Sequence, residues 1–217
     1  MKISILLPYK ENFSPEYPGA VSLFVKDTVS VSSFKKFITV FGNTNYKKGF
    51  NIKYQNLLLN KKFLTSTSKQ YVKSFLDIEL KSKSDLIEIH NRPLYVSLIK
   101  KEINANIILF YHNDPLSMNG SISKSDRISL LEKCKNIIVI SEWIKKRFLK
   151  DLNVHLSLLK KIIVIPHSIN RINDLSIIHK KKKIIIFVGK LNSQKGYDIF
   201  GNVIIKILNK NNDWQSV

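Results

Sequence analysis

The chain has 217 residues, 44% of them hydrophobic and 24% charged, which excludes a disordered tail and allows one good-sized core, or one domain and part of another. Its net charge of +20 is nearly all lysine spread along the chain, so it reads equally as a tolerant solvated surface or as affinity for something anionic. No apolar run approaches the roughly 18 residues that span a bilayer, and the apolar start before Pro8 is too short for a signal peptide; the expectation is a cytoplasmic protein, soluble or peripheral on a membrane.

Residues 3–7 read as a first strand, ended by Pro8. Residues 20–30 carry Val21, Phe24, Val25 and Thr28 at helical spacing, and 37–41 are β-branched and aromatic, closed by Gly42 and Asn43. Residues 65–81 read as a helix through Tyr71, Val72, Phe75, Ile78 and Leu80. Strand-like runs follow at 85–89, 107–111, 137–140 and 162–165, with helical stretches at 94–101, 123–133 and 142–150 between them. The single cysteine, Cys134, closes the second of those helices; it excludes an internal disulfide, fits a reducing compartment, and reads as a buried structural thiol rather than a nucleophile. After Ile165 the pattern changes. Residues 171–183 are polar and end in four lysines, 184–188 start a new apolar strand, and 197–208 read as its helix. Alternation of this kind predicts an α/β, Rossmann-like parallel sheet with helices on both faces over residues 1–170, a linker over 171–183, and the incomplete start of a second Rossmann-like domain over 184–217.

Ligands of such sheets bind beyond the carboxyl ends of the strands. The first strand is not followed by G-x-G-x-x-G, which counts against an NAD or FAD enzyme. A long loop instead delivers Gly19 to a helix start, where backbone N–H groups can approach a phosphate; an ordinary loop glycine is the plainer reading. Later strands end in His90-Asn91-Arg92-Pro93, His112-Asn113-Asp114-Pro115, Ser141-Glu142-Trp143, Pro166-His167-Ser168 and Gly189-Lys190 through Lys195-Gly196. One histidine is usually structural, but three histidine loops at strand ends in one domain point to a site. They lie on different strands without metal-ligand spacing, so no metal is expected. The basic stretch 142–150 reads as a solvated helix face before a membrane-surface helix. No RNA- or DNA-binding signature accompanies the charge, so no specific nucleic-acid partner is expected.

In order, the motifs are Pro18-Gly19-Ala20-Val21-Ser22, Glu88-x-His90-Asn91-Arg92-Pro93, His112-Asn113-Asp114-Pro115-Leu116-Ser117-Met118, Val139-Ile140-Ser141-Glu142-Trp143, Ile165-Pro166-His167-Ser168-Ile169-Asn170 and Val188-Gly189-Lys190-Leu191-x-x-x-Lys195-Gly196. This set resembles the family 4 (group 1) glycosyltransferases of GT-B fold. The resemblance implies transfer of a sugar from a nucleotide-diphosphate donor to a glycan or lipid-linked acceptor, with retention and without a cofactor, in cell-envelope polysaccharide or lipopolysaccharide synthesis. It implies a donor diphosphate held by Gly19, Lys190 and Lys195, with His112 catalytic beside the donor sugar, and with Asn91, Arg92, Asn113, Asp114 and Ser141 lining the acceptor and sugar cleft. Lys190 stands where the family has arginine, which keeps the charge but loses the bidentate fork, and Pro18 stands where it has a second glycine. The family's Glu-x7-Glu segment has no counterpart here, so the 217 residues alone are expected to lack a complete donor site. The alternative is a non-catalytic acceptor-side or membrane-surface module that needs a separate donor domain.

Overall fold

Short β-branched and aromatic runs become the strands of one all-parallel sheet: β1 (Ile3–Leu6), β2 (Ile38–Gly42), β3 (Tyr54–Asn56), β4 (Leu86–His90), β5 (Ile107–Tyr111), β6 (Asn136–Val139) and β7 (Ile162–Val164). The computed structural model describes residues 1–45, 48–59, 65–168, 182–189, 191 and 193–217. Seven strands lie in the order β3-β2-β1-β4-β5-β6-β7, with Ile5 paired to Val40 on one side and Glu88 on the other, and His90 beside Phe110. The helices are α1 (Ala20–Val31), α2 (Thr67–Ser82), α3 (Pro93–Glu102), α4 (Lys124–Lys133), α5 (Glu142–Leu149) and α6 (Leu156–Leu159).

The topology fixes where the helices lie. The chain runs outward from β1 to β2 and β3, then returns to the other side of β1 and runs through β4 to β7. Right-handed crossovers travelling in opposite directions put their helices on opposite faces. Accordingly, Val21, Val25 and Val29 of α1 pack with Ile5, Leu7 and Val40 in one cluster. The other face buries Tyr71 and Phe75 of α2, Tyr95 and Ile99 of α3, Leu130 of α4 and Phe148 of α5 against Phe41, Ile87, Leu109 and Val139. Strand alternation on β4 sends Ile87 and Ile89 into this larger core and turns Glu88 and His90 to the α1 side.

Some details depart from the sequence pattern. The edge strand β3 is Tyr54-Gln55-Asn56, too short and polar to show a period. Phe37 ends a 3-10 turn and not a strand, and α2 starts at Thr67, where the Ser66 side chain accepts from the N–H of Lys69. On α5, Ile144 and Phe148 are spent on the core, leaving Trp143 and the charged residues outward. Cys134 is buried, and burial pushes its thiol up to about 12. Among the described residues no helix is long and apolar enough to cross a membrane.

The chain divides into two compact units, Met1–Ile169 and Asn170–Val217. Residues 171–181, most of the polar segment, lie outside the described residues. The second unit is one β-α-β: β8 (Ile184–Ile185) and β9 (Gln215–Ser216) pair in parallel and α7 (Tyr197–Leu208) connects them. The apolar run 184–188 was expected to be a buried strand. Its ladder is two residues long and Val188 is 91% exposed, because one helix and two strands cannot enclose a core.

Candidate functional site

The carboxyl ends of β4, β5 and β7 bring three histidines into series. The last residue of β4, His90, is fully buried, and its Nε2 lies 2.6 Å from Oε1 of Glu88, two residues earlier on the same face. Its Nδ1 lies 2.8 Å from Nε2 of His112, the first residue past β5. Nδ1 of His112 lies 2.7 Å from Nε2 of His167, three residues past β7. Burial falls along this chain from His90 to the exposed His167.

Local sequence explains why the rings meet. Asn91 follows β4 at φ 50, a left-handed conformation that asparagine tolerates. Its N–H donates to the carbonyl of Phe110 at 2.8 Å, and its side-chain Oδ1 accepts from the N–H of His112 at 2.8 Å. One residue thus clamps the starts of two loops together. Phe24 of α1 covers the rings, its centroid 4.9 Å from His112 and 4.8 Å from His167, while Phe110 stacks on His90 at 4.8 Å. Burial first, then the neighbouring rings, lowers His112 to about 3. His167 is lowered as well, by burial and by His90. Both are neutral at physiological pH.

The other candidate residues fall into different settings. Gly19 caps α1, and Glu11 reaches over it: Oε1 accepts from the N–H of Ser22 at 3.0 Å, and a Cβ on Gly19 would sit 1.9 Å from that oxygen. The chain's own carboxylate therefore occupies the helix start where a phosphate was expected. Asp114 caps a 3-10 turn through the N–H of Leu116 and accepts from Nη2 of Arg147 at 2.7 Å and from its Nε at 3.1 Å; the guanidinium holds the carboxyl below its usual range. Ser141 caps α5 by accepting from the N–H of Ile144 at 3.2 Å. Arg92 is exposed and donates to the carbonyl of Asn91, and Asn113 is exposed. In the second unit, Lys195 is exposed at the end of a 3-10 turn, followed by Gly196 at φ 73 opening α7. Lys190 lies outside the described residues.

The structure thus joins Asn91 and His112 with Glu88, His90 and His167, and commits Asp114 and Ser141 to helix and turn starts. Glu88 and His90, two residues apart on β4, share one face because the strand runs one residue further than the apolar pattern suggested. Nothing in the sequence announced Phe24 as their cover or Glu11 as the cap of α1. At the same edge of the sheet, a groove of about 600 Å³ is lined by Tyr9, Lys10, Asn12, Asn43, Asn45 and Leu58. Among the described residues no group of three or more His, Cys, Asp or Glu has a metal-holding arrangement.

No family model and no curated protein matches the sequence. Solved structures do match its fold. The chain is similar to Anabaena HepE, solved in complex with UDP-glucose, at 13% identity and TM-score 0.60, over 95% of this chain and 58% of that one. It is similar to the lipopolysaccharide outer core galactosyltransferase WaaB at 17% and 0.59, over 94% and 57%. A sucrose-phosphate synthase from Thermosynechococcus elongatus matches at 12% and 0.62, over 100% and 70%. The chain spans about 58% of the length of HepE. Sheet order, helix placement and these likenesses agree: the chain has the α/β, Rossmann-like architecture of the GT-B glycosyltransferase fold.

Proposed function

We propose that the chain carries the acceptor-side domain and donor-side residues of a nucleotide-sugar glycosyltransferase. The observation that carries this reading is the chain of three histidines at the carboxyl edge of a GT-B-type sheet. Hydrogen-bonding groups at that edge suit a sugar hydroxyl, and the groove beside it offers an aromatic ring, amides and an amine, the usual set for a glycan. A departing diphosphate gains charge, and cations aimed at it stabilise that charge with the nucleotide-sugar as substrate and no resident cofactor. Lys195, at the turn that opens α7, fits this role. The family resemblance adds retention of configuration, a glycan or lipid-linked acceptor, and work at the cytoplasmic side of the cell envelope.

Calorimetric titration with UDP-glucose tests the reading. A lysine at the start of α7 holds a diphosphate by charge alone, so a dissociation constant of about 1 mM is expected, weakened further in K195A. Binding unchanged in K195A would remove Lys195 from the diphosphate site, and no binding at millimolar ligand would remove the nucleotide-sugar assignment.

A further inference from the structure

Both ring nitrogens of His112 are committed, Nε2 to His90 and Nδ1 to His167. A ring in that state has no nitrogen left for a substrate, although the family resemblance implies a place for it beside the donor sugar. The direction of the chain follows from its buried end. A carboxylate only accepts, so the 2.6 Å contact to Glu88 takes the Nε2–H of His90. With one ring proton, and that proton on Nε2, His90 has its lone pair on Nδ1, where it accepts from the Nε2–H of His112. His112 in turn accepts at Nδ1 from the Nε2–H of His167. All three rings are thereby Nε2–H tautomers. The last lone pair, on Nδ1 of His167, is what the chain presents at its exposed end. Among the described residues the ring contacts from α1 and β5 are Phe24 and Phe110, which are uncharged. Glu88 alone sets the direction.

We propose that His167, rather than His112, is the ring that meets the substrate, its Nδ1 accepting a hydrogen bond from a sugar hydroxyl while Glu88, His90 and His112 orient it. A neutral imidazole lone pair takes an O–H donor and offers nothing to a phosphate oxygen, so hydroxyl and diphosphate recognition fall to different residues. Polarisation along the three hydrogen bonds makes that lone pair a better acceptor than a lone histidine's, as an outer-shell carboxylate does for a ligating histidine. The hydroxyl as ligand rests on the glycosyl-transfer reading above; the direction of the chain does not.

Long-range ¹H–¹⁵N spectra of the histidine side chains in the ¹⁵N-labelled chain report which nitrogen carries each proton. At pH 7.5 the expected result is the Nε2–H tautomer at each of the three rings, with the preference at His112 lost in E88A. UDP-glucose, the probe, should move Nδ1 of His167 more than any nitrogen of His90 or His112. H167Q keeps a donor toward His112 and removes Nδ1. It should weaken UDP-glucose binding about tenfold while His90 and His112 keep their tautomers. A proton on Nδ1 of His112 in the free protein overturns the direction, and unchanged UDP-glucose binding in H167Q overturns the substrate contact. Failure of the unsubstituted chain to bind UDP-glucose strikes the nucleotide-sugar reading and the hydroxyl contact together, and the tautomers still decide the direction.

Discussion

Burial sets the charge of His112, and that charge is a stability term. Its value falls from 6.5 unfolded to about 3 in the fold, so between those pH values the unfolded chain binds the extra proton. Stability is therefore full above about pH 6.5 and is lost as pH falls toward 3. His167 is lowered too and acts in the same direction. A loss of about 1–2 kcal/mol between pH 7.5 and 5 is expected from His112, seen as a lower urea midpoint, and the H112Q protein should show a flatter dependence. Asn91 is the second decisive residue here. N91A removes the acceptor for the His112 N–H and puts a Cβ-bearing residue with no local hydrogen bond at φ 50. It should cost about 2 kcal/mol, and N91G, which tolerates that φ, visibly less. Equal losses in the two variants would assign the whole effect to the hydrogen bond.

At the level of elements, α1 is the contested piece. Its first turn holds no acidic residue of its own, and Glu11, from the preceding loop, supplies the missing charge. Adding a Cβ at Gly19 displaces that carboxylate, which is the far end of a flexible side chain, so the cost is the lost cap and not a backbone clash. G19A and E11A should each cost about 1 kcal/mol, and the double variant should cost little more than either. Additive losses in that cycle would show that the glycine serves another purpose. The strands and longer helices of the first unit were legible because their apolar spacing is strong. The edge strand β3 and the short α6 were not, since three polar residues or a single turn carry no period and exist only because β2 and the larger core lie beside them.

The two units of the whole molecule differ in how much they can bury. The first has clusters on both faces of its sheet. In the second, Ile204 is the buried hydrophobic among the described residues, while Ile186, Val188, Ile199 and Ile205 are all at least 60% exposed. A fragment of residues 1–169 should therefore unfold cooperatively by circular dichroism near the temperature of the full chain, and a fragment of 170–217 should show no transition. A non-cooperative 1–169 fragment would mean that its core depends on residues outside it. The positive charge, by contrast, lies over the whole chain.

The sequence by itself determined the alternation of strand and helix, the parallel sheet, and the strand ends at which function gathers, because apolar spacing and β-branched runs are local properties of the chain. It also placed His90, His112 and His167 at the ends of strands. Only the tertiary structure decided that these loops touch, that the nitrogens of His112 are already taken, and that Asp114 is bound to Arg147. It alone put Glu11 over the start of α1. Those facts are contacts between residues separated by crossovers, fixed by the order of the strands and by which partner reaches a nitrogen or an N–H first. No spacing along the chain records them.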